Sequence, residues 1–269
     1  MNDVVRLIAR VEDCLADGGN LLLMTDYDGT LTPIVDEPAH ARLPREVHDD
    51  LCALARSPRV RVAVISGRDL TDLQTRVSAP GIIYAGCHGL DIEGPGLRFT
   101  HPRAEAQRAL IAEVTEELRR RAPAVEGMRV ESKRLAVAVH YRHATPAARR
   151  QVEDELARAI AKDGALLKIF HGKRVIEVLP HVCWNKGHCA SWIFRRTRRV
   201  LAPPLVTLYL GDDWTDECVF EALGDRAITV SVGRDWPASC AAYRLRSVRE
   251  VQQLLSFIAA QVGRVGGAA

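Results

Sequence analysis

The chain has 269 residues, of which 47% are hydrophobic and 26% are charged, and its formal net charge is +3. This length can bury a substantial core, and the composition is that of a globular protein rather than a fibrous or disordered one. The small net charge gives no indication of nucleic-acid binding, and no apolar run is long enough to span a membrane. We therefore expect neither nucleic acid nor membrane as a partner.

The cysteines and the N-terminus both favour a cytoplasmic location. Seven cysteines are scattered without the paired short spacings of a zinc site, and reduced thiols are typical of cytoplasmic proteins. The first residues predict an amphipathic helix that stops at Gly18-Gly19, without the basic and apolar regions of a signal peptide.

Apolar runs alternate with helical patterns at both ends of the chain. The first third predicts strands at 21–25, 60–65 and 82–85 and a helix at 46–55. The last third predicts helices at 186–196, 215–223 and 248–260, strands at 205–210 and 227–230, and a loose tail at 262–267. Such alternation indicates βαβ units, so we expect an α/β core with a Rossmann-like parallel sheet.

The middle of the chain follows another pattern. Helical periodicity over 105–121 and 146–161 alternates with two predicted hairpins, which turn at 132–134 and 171–173. This order is typical of an α+β unit. We expect a catalytic core formed by residues 1–99 and 182–269, with residues 100–181 inserted as a separate domain.

Two carboxylates follow the first predicted strand, in the run Asp26-Tyr27-Asp28-Gly29-Thr30. Ligands of open α/β sheets bind at the carboxyl ends of the strands, and carboxylates there need cations or a metal. The spacing suits a nucleophile and a proton carrier that share a divalent metal. The alternative is a surface Asp-Gly turn.

Two further motifs fit a phosphate. Ser66-Gly67-Arg68 offers a hydroxyl and backbone N–H groups after the second strand, although Ser66 also fits the N-cap of a helix. Lys186 stands at a predicted helix start, where a cation opposes the helix dipole and favours an anionic partner. A solvent-facing lysine is the alternative.

Four carboxylates lie within residues 211–217, after the strand at 205–210. Such a group would repel itself without a cation, and hard oxygen ligands suit magnesium. An N-cap aspartate with surface acids is the alternative.

Taken in this order, the motifs of Asp26, Ser66, Lys186 and Asp212 resemble those of haloacid dehalogenase-like phosphatases. The resemblance implies that Asp26 is the nucleophile and that Asp28 is the general acid and base. It also implies that Mg²⁺ is the cofactor and that phosphate oxygens are bound at the strand ends. The expected metal-binding residues are Asp26, Asp28 through its carbonyl, Asp212 and Asp213, and the expected phosphate-binding residues are Thr30, Ser66, Gly67, Arg68 and Lys186.

A narrower resemblance, to trehalose-6-phosphate phosphatases, covers nearly the whole chain. It is carried by the run from Asp26 to Ile34 and by the motifs 86–90, 131–133, 140–142, 172–177 and 211–217. The family often has Asn in place of Cys87 and Glu in place of Asp91. The resemblance implies hydrolysis of trehalose 6-phosphate, with a separate trehalose-6-phosphate synthase supplying it, since we expect no synthase domain on this chain.

Charged residues in or beside the two hairpins are the candidates for sugar binding, because carboxylates and cations hydrogen-bond sugar hydroxyls. They are Glu131, Lys133, Arg142, Lys173 and Glu177. Cross-strand ion pairs on a solvated sheet face are the alternative. We expect His140 and Tyr141 to pack within the sheet, and His88 is a candidate to face the site.

The prediction is a magnesium-dependent phosphatase for trehalose 6-phosphate that works through an aspartyl-phosphate. The alternatives are a phosphatase for sucrose 6-phosphate or a glycosyl-3-phosphoglycerate, a phosphomutase, and a catalytically silent sugar-phosphate sensor. Retention of both Asp26 and Asp28 argues against the sensor.

Overall fold

The computed structural model describes residues 3–16, 19–172, 174–233 and 239–266. Its helices are α1 (Asp3–Ala16), α2 (Arg45–Arg56), α3 (Leu70–Val77), α4 (Pro102–Ala106), α5 (Arg108–Arg121), α6 (Pro146–Ile160), α7 (Lys186–Thr197), α8 (Trp214–Leu223) and α9 (Val248–Gly266). Its strands are β1 (Asn20–Thr25), β2 (Val60–Ile65), β3 (Ile83–Gly86), β4 (Asp91–Gly94), β5 (Leu97–Thr100), β6 (Arg129–Ser132), β7 (Val137–His140), β8 (Leu167–Gly172), β9 (Val175–Pro180), β10 (Leu205–Gly211), β11 (Ile228–Val232) and β12 (Tyr243–Leu245).

The chain divides into two compact units, a core unit of residues 1–98 and 184–269 and an inserted unit of residues 99–183. The core unit is built on a sheet of order β12-β11-β10-β1-β2-β3-β4-β5, in which the strands from β12 to β3 are parallel and β4 runs antiparallel to β3. The expected α/β class with a Rossmann-like parallel sheet is confirmed.

Apolar strands explain why this sheet forms. The residues of β1 from Leu21 to Met24 are fully buried, as expected for a central parallel strand covered on both faces. Leu7 and Val11 of α1 and Leu254 and Ile258 of α9 pack into the core cluster with Leu21. The β4–β5 extension and the short strand β12 escaped prediction, because neither has a long apolar run.

The C-terminal prediction was wrong. Residues 262–266 continue α9 rather than forming a loose tail, and Gly267 lies outside the described residues. Glycine costs a helix about 1 kcal/mol relative to alanine. Val262 packs against the core cluster, and this contact favours continuing the helix through Gly263.

The inserted unit contains an antiparallel sheet of order β6-β7-β9-β8. Val137 and Val139 of β7 and Ile176 and Val178 of β9 pack against α5 and α6 in one apolar cluster. Because strand side chains alternate, the intervening Ala138 and Glu177 lie on the other face, and Glu131 pairs with Ala138 in the same row. The predicted hairpins therefore present one apolar face and one polar face.

Among the described residues, no helix combines the length and the apolar character that a membrane span requires.

Candidate active site

Three loops meet at the carboxyl edge of the core sheet. Strand β1 lies between β10 and β2, and the parallel ladder with β10 continues one residue further, where the Asp26 N–H donates to the Leu210 carbonyl at 2.9 Å. Asp26 therefore follows β1 at the level of the last residue of β10, directly before Asp212, and Ser66 follows β2 on the other side. Neighbouring parallel strands bring these loops together although the chain separates them widely.

Asp26 and Lys186 form a buried ion pair. Lys186 Nζ lies 2.7 Å from Asp26 Oδ1 and 2.9 Å from Asp216 Oδ1, and both Asp26 and Lys186 are 4% exposed. Lys186 is the first residue of α7, and the side chain of its N-cap, Asn185, accepts a hydrogen bond from the His188 N–H. Lys186 thus meets two carboxylates at the helix start, which excludes the alternative of a solvent-facing lysine.

Asp216 is a site residue that the sequence analysis did not single out. Its carboxylate accepts from Lys186, from the Tyr209 hydroxyl at 2.6 Å, and from the N–H groups of Asp212 and Asp213 at 3.1 and 3.0 Å. The side chain is completely buried. Its place in the first turn of α8, three residues after an N-cap aspartate, was the available signal, since that spacing is a capping box.

The structure gives Asp213, an expected metal-binding residue, a capping role. It is the N-cap of α8, where its carboxylate accepts from the Trp214 N–H at 2.6 Å and forms a reciprocal capping box with Asp216. Its carboxylate is therefore engaged with the backbone of its own helix. The three carboxylates whose oxygens come within 4.8 Å of one another are those of Asp26, Asp212 and Asp216.

The balance of charge in this cluster favours a further cation. Burial, followed by the negative charges of Asp216, Asp212 and Asp28, raises the pKa of Asp26, and Lys186 alone opposes this shift. Burial disfavours the Lys186 ammonium, but the charges of Asp216 and Asp26 outweigh it and raise the pKa of Lys186. Lys186 therefore stays protonated, but its single positive charge does not balance the several carboxylates around it. The surplus of oxygen donors fits a divalent ion such as Mg²⁺.

Gly29 brings the first loop against Asp212. Its φ is +90°, and a Cβ atom placed there would lie 2.1 Å from Asp212 Oδ2. The loop is fixed further by a hydrogen bond from the Gly29 N–H to the Thr32 carbonyl at 2.7 Å. Only glycine combines this left-handed backbone with so close an approach to the carboxylate.

Arg68 contacts carboxylates, which differs from its expected role at the phosphate. Its Nε and Nη2 donate to Asp28 Oδ2 and Oδ1 at 2.6 and 2.7 Å, and its Nη1 donates to Asp72 at 2.9 Å. Burial opposes the guanidinium charge, but the hydrogen bonds and charges of Asp28 and Asp72 raise the pKa of Arg68. Sequence spacing gives no indication of a contact between residues 28 and 68.

The other expected phosphate-binding residues lie on the loops after β1 and β2. They are Thr30, Ser66 and Gly67. The Ser66 hydroxyl accepts from the Arg68 N–H at 3.2 Å, and its own hydrogen remains available to a ligand. It is not a helix cap, since Asp69 caps α3. A Cβ atom on Gly67 would lie 2.8 Å from the ring of His88. The Thr30 hydroxyl is buried and has no hydrogen-bond partner among the described residues.

The polar sheet face of the inserted unit carries an ion pair and a contact between a histidine and a carboxylate. Lys133 pairs with Glu177, and both side chains are buried. His140 Nε2 lies 2.6 Å from Glu131 Oε2, so His140 contacts the neighbouring strand of the sheet, as expected. Cross-strand neighbours on a sheet interact in this way, and His140 belongs to the same face as Glu131.

Arg142 and Tyr141 follow β7 in this unit. The Arg142 carbonyl accepts from Arg174 Nη1 at 3.4 Å, and Arg142 is half-buried. Tyr141 packs beside the apolar cluster of the unit, as expected. Lys173, the remaining candidate for sugar binding, lies outside the described residues.

Comparison with known proteins identifies the family. The family model for trehalose-phosphatase matches residues 24–244. The chain is 35% identical over 245 residues to a trehalose-phosphate phosphatase of Mycobacterium marinum, covering 90% of this chain, and 37% identical to one of Mycobacterium tuberculosis, covering 85% of it. It spans only 62% and 61% of the lengths of these relatives.

A solved structure shows the same fold. The C-terminal domain of the Candida albicans trehalose-6-phosphate phosphatase superposes with a TM-score of 0.77 at 24% identity, over 96% of each chain. The resemblance to trehalose-6-phosphate phosphatases is confirmed by the family model, and the solved structure shows the same fold. The chain belongs to the trehalose-phosphatase family.

Proposed function

We propose that this protein is a magnesium-dependent phosphatase that hydrolyses trehalose 6-phosphate to trehalose and phosphate. The observation that carries the proposal is the buried contact between Asp26 and Lys186, with Asp212 packed against the loop that holds Asp26 and Asp28. This arrangement joins a carboxylate nucleophile, a cation for the phosphoryl group and an acidic metal site. The family membership and the names of the relatives support the sugar phosphate as substrate.

The first half-reaction would form an aspartyl-phosphate. An Asp26 oxygen attacks phosphorus, the bond from phosphorus to the sugar oxygen breaks, and Asp28 supplies the proton that the sugar oxygen takes up. In the second half-reaction, Asp28 takes a proton from water as that water attacks phosphorus. The bond between Asp26 and phosphorus breaks, which releases phosphate and restores the carboxylate.

Asp26 and Asp212 would hold the metal, together with the Asp28 carbonyl. Asp216 lies close enough to contribute, but its four hydrogen bonds assign it to holding Lys186 and the loop at 212–213. When bound, Mg²⁺ would offset the repulsion between the Asp26 carboxylate and the anionic substrate.

The phosphoryl oxygens would meet Lys186, Ser66 and the backbone around Gly67. Two of the three Lys186 ammonium hydrogens are directed at carboxylates, which leaves one for a phosphate oxygen. The Thr30 hydroxyl is a further candidate, since a buried hydroxyl without a partner costs about 1–3 kcal/mol and an anionic oxygen would satisfy it.

We propose that the inserted unit supplies the sugar specificity. Glu131, Lys133 and Glu177 lie in its polar sheet region, and Arg142 and Lys173 remain candidates from the sequence. Lys133 and Glu177 already pair with each other, which orients both head groups. A disaccharide rich in hydroxyls offers donors and acceptors to such a pair.

We extend this proposal to the location of the protein and the source of its substrate. Hydrolysis would take place in the cytoplasm, and a separate trehalose-6-phosphate synthase would supply the substrate. Cell fractionation with an antibody to this chain tests the location. A coupled assay that starts from glucose 6-phosphate and an activated glucose donor tests the supply of substrate, since trehalose should form only when a synthase is added.

A panel of sugar phosphates tests the function most directly. Purified protein with Mg²⁺ is expected to release phosphate fastest from trehalose 6-phosphate, and Asp26→Asn is expected to release none while keeping its fold by circular dichroism. Faster turnover of sucrose 6-phosphate or a glycosyl-3-phosphoglycerate would replace the substrate but keep the chemistry. Tight binding without any release would favour the sensor, and an isomeric sugar phosphate as product would favour a phosphomutase.

A further inference from the structure

Both the backbone and the side chain of Arg68 are held in place. Its backbone N–H donates to Ser66 Oγ at 3.2 Å, and its carbonyl accepts from the Cys87 N–H at 2.7 Å. Its guanidinium is 5.2 Å from the centre of the Tyr27 ring, and the Arg68 side chain is only 8% exposed. The position of the guanidinium is therefore fixed independently of Asp28.

The guanidinium is almost fully used by protein acceptors. Of its five N–H donors, two meet the two oxygens of Asp28, one meets Asp72, and one meets the Pro38 carbonyl at 2.9 Å. Phosphate binding by arginine usually takes two parallel donors. Arg68 has one donor left, so it is poorly equipped to bind the phosphoryl group while this network stands.

Asp72 and Arg76 form a second layer of contacts, which supports the contact between Arg68 and Asp28. Asp72 accepts from Arg76 Nε at 2.7 Å as well as from Arg68, and Arg76 Nη1 donates to the carbonyls of Ala39 and Ala41 at 3.2 and 2.9 Å. The Tyr27 hydroxyl donates to the same Ala41 carbonyl at 3.3 Å. Arg68 and Arg76 thus link residues 38–41 to α3. Tyr27, the neighbour of Asp28, is tied to the same segment.

We propose that Arg68 is a positioning residue for Asp28, which orients its carboxylate for proton transfer to the leaving sugar oxygen, and is not a phosphate ligand. The inference rests on the proposed function. Both Asp28 oxygens lie on the arginine fork, so proton transfer requires one oxygen to leave the fork and take up the proton while the other stays on Arg68 as the pivot. The Asp28 side chain is 39% exposed, which leaves room for that exchange on the solvent side.

If Arg68 acts through Asp28, the effect of replacing Arg68 depends on the leaving group of the substrate. Trehalose 6-phosphate releases an alkoxide, which needs a proton as the bond to phosphorus breaks. p-Nitrophenyl phosphate releases nitrophenolate, which is stable without a proton. A residue that acts through Asp28 therefore affects the first substrate far more than the second, whereas a phosphate ligand affects both equally.

The experiment measures release of the leaving group in single-turnover reactions with each substrate, so that the later hydrolysis of the aspartyl-phosphate does not enter. Arg68→Gln is expected to lower the rate for trehalose 6-phosphate about 10²-fold, in the range of a lost general acid, and the rate for p-nitrophenyl phosphate less than tenfold. Asp28→Asn should show the same selectivity, and the double variant should lose little more than either single variant.

Two milder variants keep the test decisive if Arg68→Gln does not fold. Arg68→Lys keeps the charge without the two-pronged geometry, and Asp72→Asn removes the second layer, so both should show the same selectivity to a smaller degree. Equal losses on both substrates, with a matching rise in the inhibition constant of inorganic phosphate, would overturn the inference. A wild-type protein that cleaves neither substrate would instead overturn the proposed function.

Discussion

Lys186 Nζ lies 2.7 Å from Asp26 Oδ1, and both side chains are buried at the carboxyl edge of the core sheet. The lysine reaches this position from the first turn of a helix, 160 residues further along the chain. Gly187 permits the approach, since a Cβ atom there would lie 2.2 Å from the Cys218 carbonyl of α8. The close packing of α7 against α8 therefore helps to position the start of α7, and with it Lys186.

Replacing this lysine should destabilise the core unit. Lys186→Met leaves Asp26 and Asp216 buried without their shared cation, and loss of one partner of a buried ion pair costs about 3–5 kcal/mol. We expect a fall of that size in the free energy of unfolding, measured by urea denaturation.

The matched control is Lys162→Met, which removes the charge of an exposed lysine. It should change the free energy of unfolding by less than about 0.5 kcal/mol, as is usual at exposed positions. Equal stability of the two variants would mean that the pair is not buried in the folded protein.

Gly29→Ala should damage both stability and phosphate release. The substitution combines a backbone φ of +90° with a methyl group that collides with the Asp212 carboxylate. Strained backbone alone costs about 1–3 kcal/mol. Gly96→Ala provides the comparison, because Gly96 has a φ of +69° and open space around its Cβ position. Gly96→Ala should lower stability but keep full activity, so loss of activity in both would show that strain alone is responsible.

The adjacent aspartates Asp212 and Asp213 should respond differently to the same substitution. Asp212→Asn is expected to raise the Mg²⁺ concentration needed for half-maximal phosphate release by at least tenfold, since it removes a charged ligand. Asp213→Asn should leave that concentration and the melting temperature nearly unchanged, because asparagine caps a helix about as well as aspartate. A titration of activity against Mg²⁺ distinguishes the two, and a shifted requirement in Asp213→Asn would restore Asp213 as a ligand.

Glu131 should contribute to stability only above acidic pH. Its burial raises its pKa, but the hydrogen bond with His140 and the charge of Lys133 outweigh burial, so the pKa of Glu131 lies below its usual value. A lowered folded pKa gives stability that is present above the unfolded pKa of about 4.3 and is lost as the pH falls through the folded value.

Glu131→Gln should therefore be less stable than the wild type at pH 7, and the difference should shrink as the pH falls below the unfolded pKa of about 4.3. Urea denaturation across this range measures it, with exposed Glu126→Gln as the control that should show little difference at any pH. A Glu131→Gln deficit that does not change as the pH falls below about 4.3 would contradict the lowered pKa of Glu131.

The sequence predicted the fold well because its signals are local. Short stretches of the sequence show the buried run of β1, each element of the alternating strands and helices, and each of the two hairpins of the inserted unit. The end of α9 was missed, since the contact between Val262 and the core cluster depends on residues distant in the chain. The β4–β5 extension was missed because it has no long apolar run, and its pairing with β3 follows a turn at Cys87-His88-Gly89 that the apolar pattern does not show.

For the site, the sequence by itself determined the chemical groups and the sheet edge where they gather, since motif order and parallel strands require it. Only the tertiary structure decided which group meets which. It placed Arg68 on Asp28 rather than free for a phosphate, and it made Asp216 the partner of Lys186 and Asp213 a helix cap. These pairings are set by distances of a few ångströms between segments far apart in the chain, and the composition of a motif carries no record of such distances.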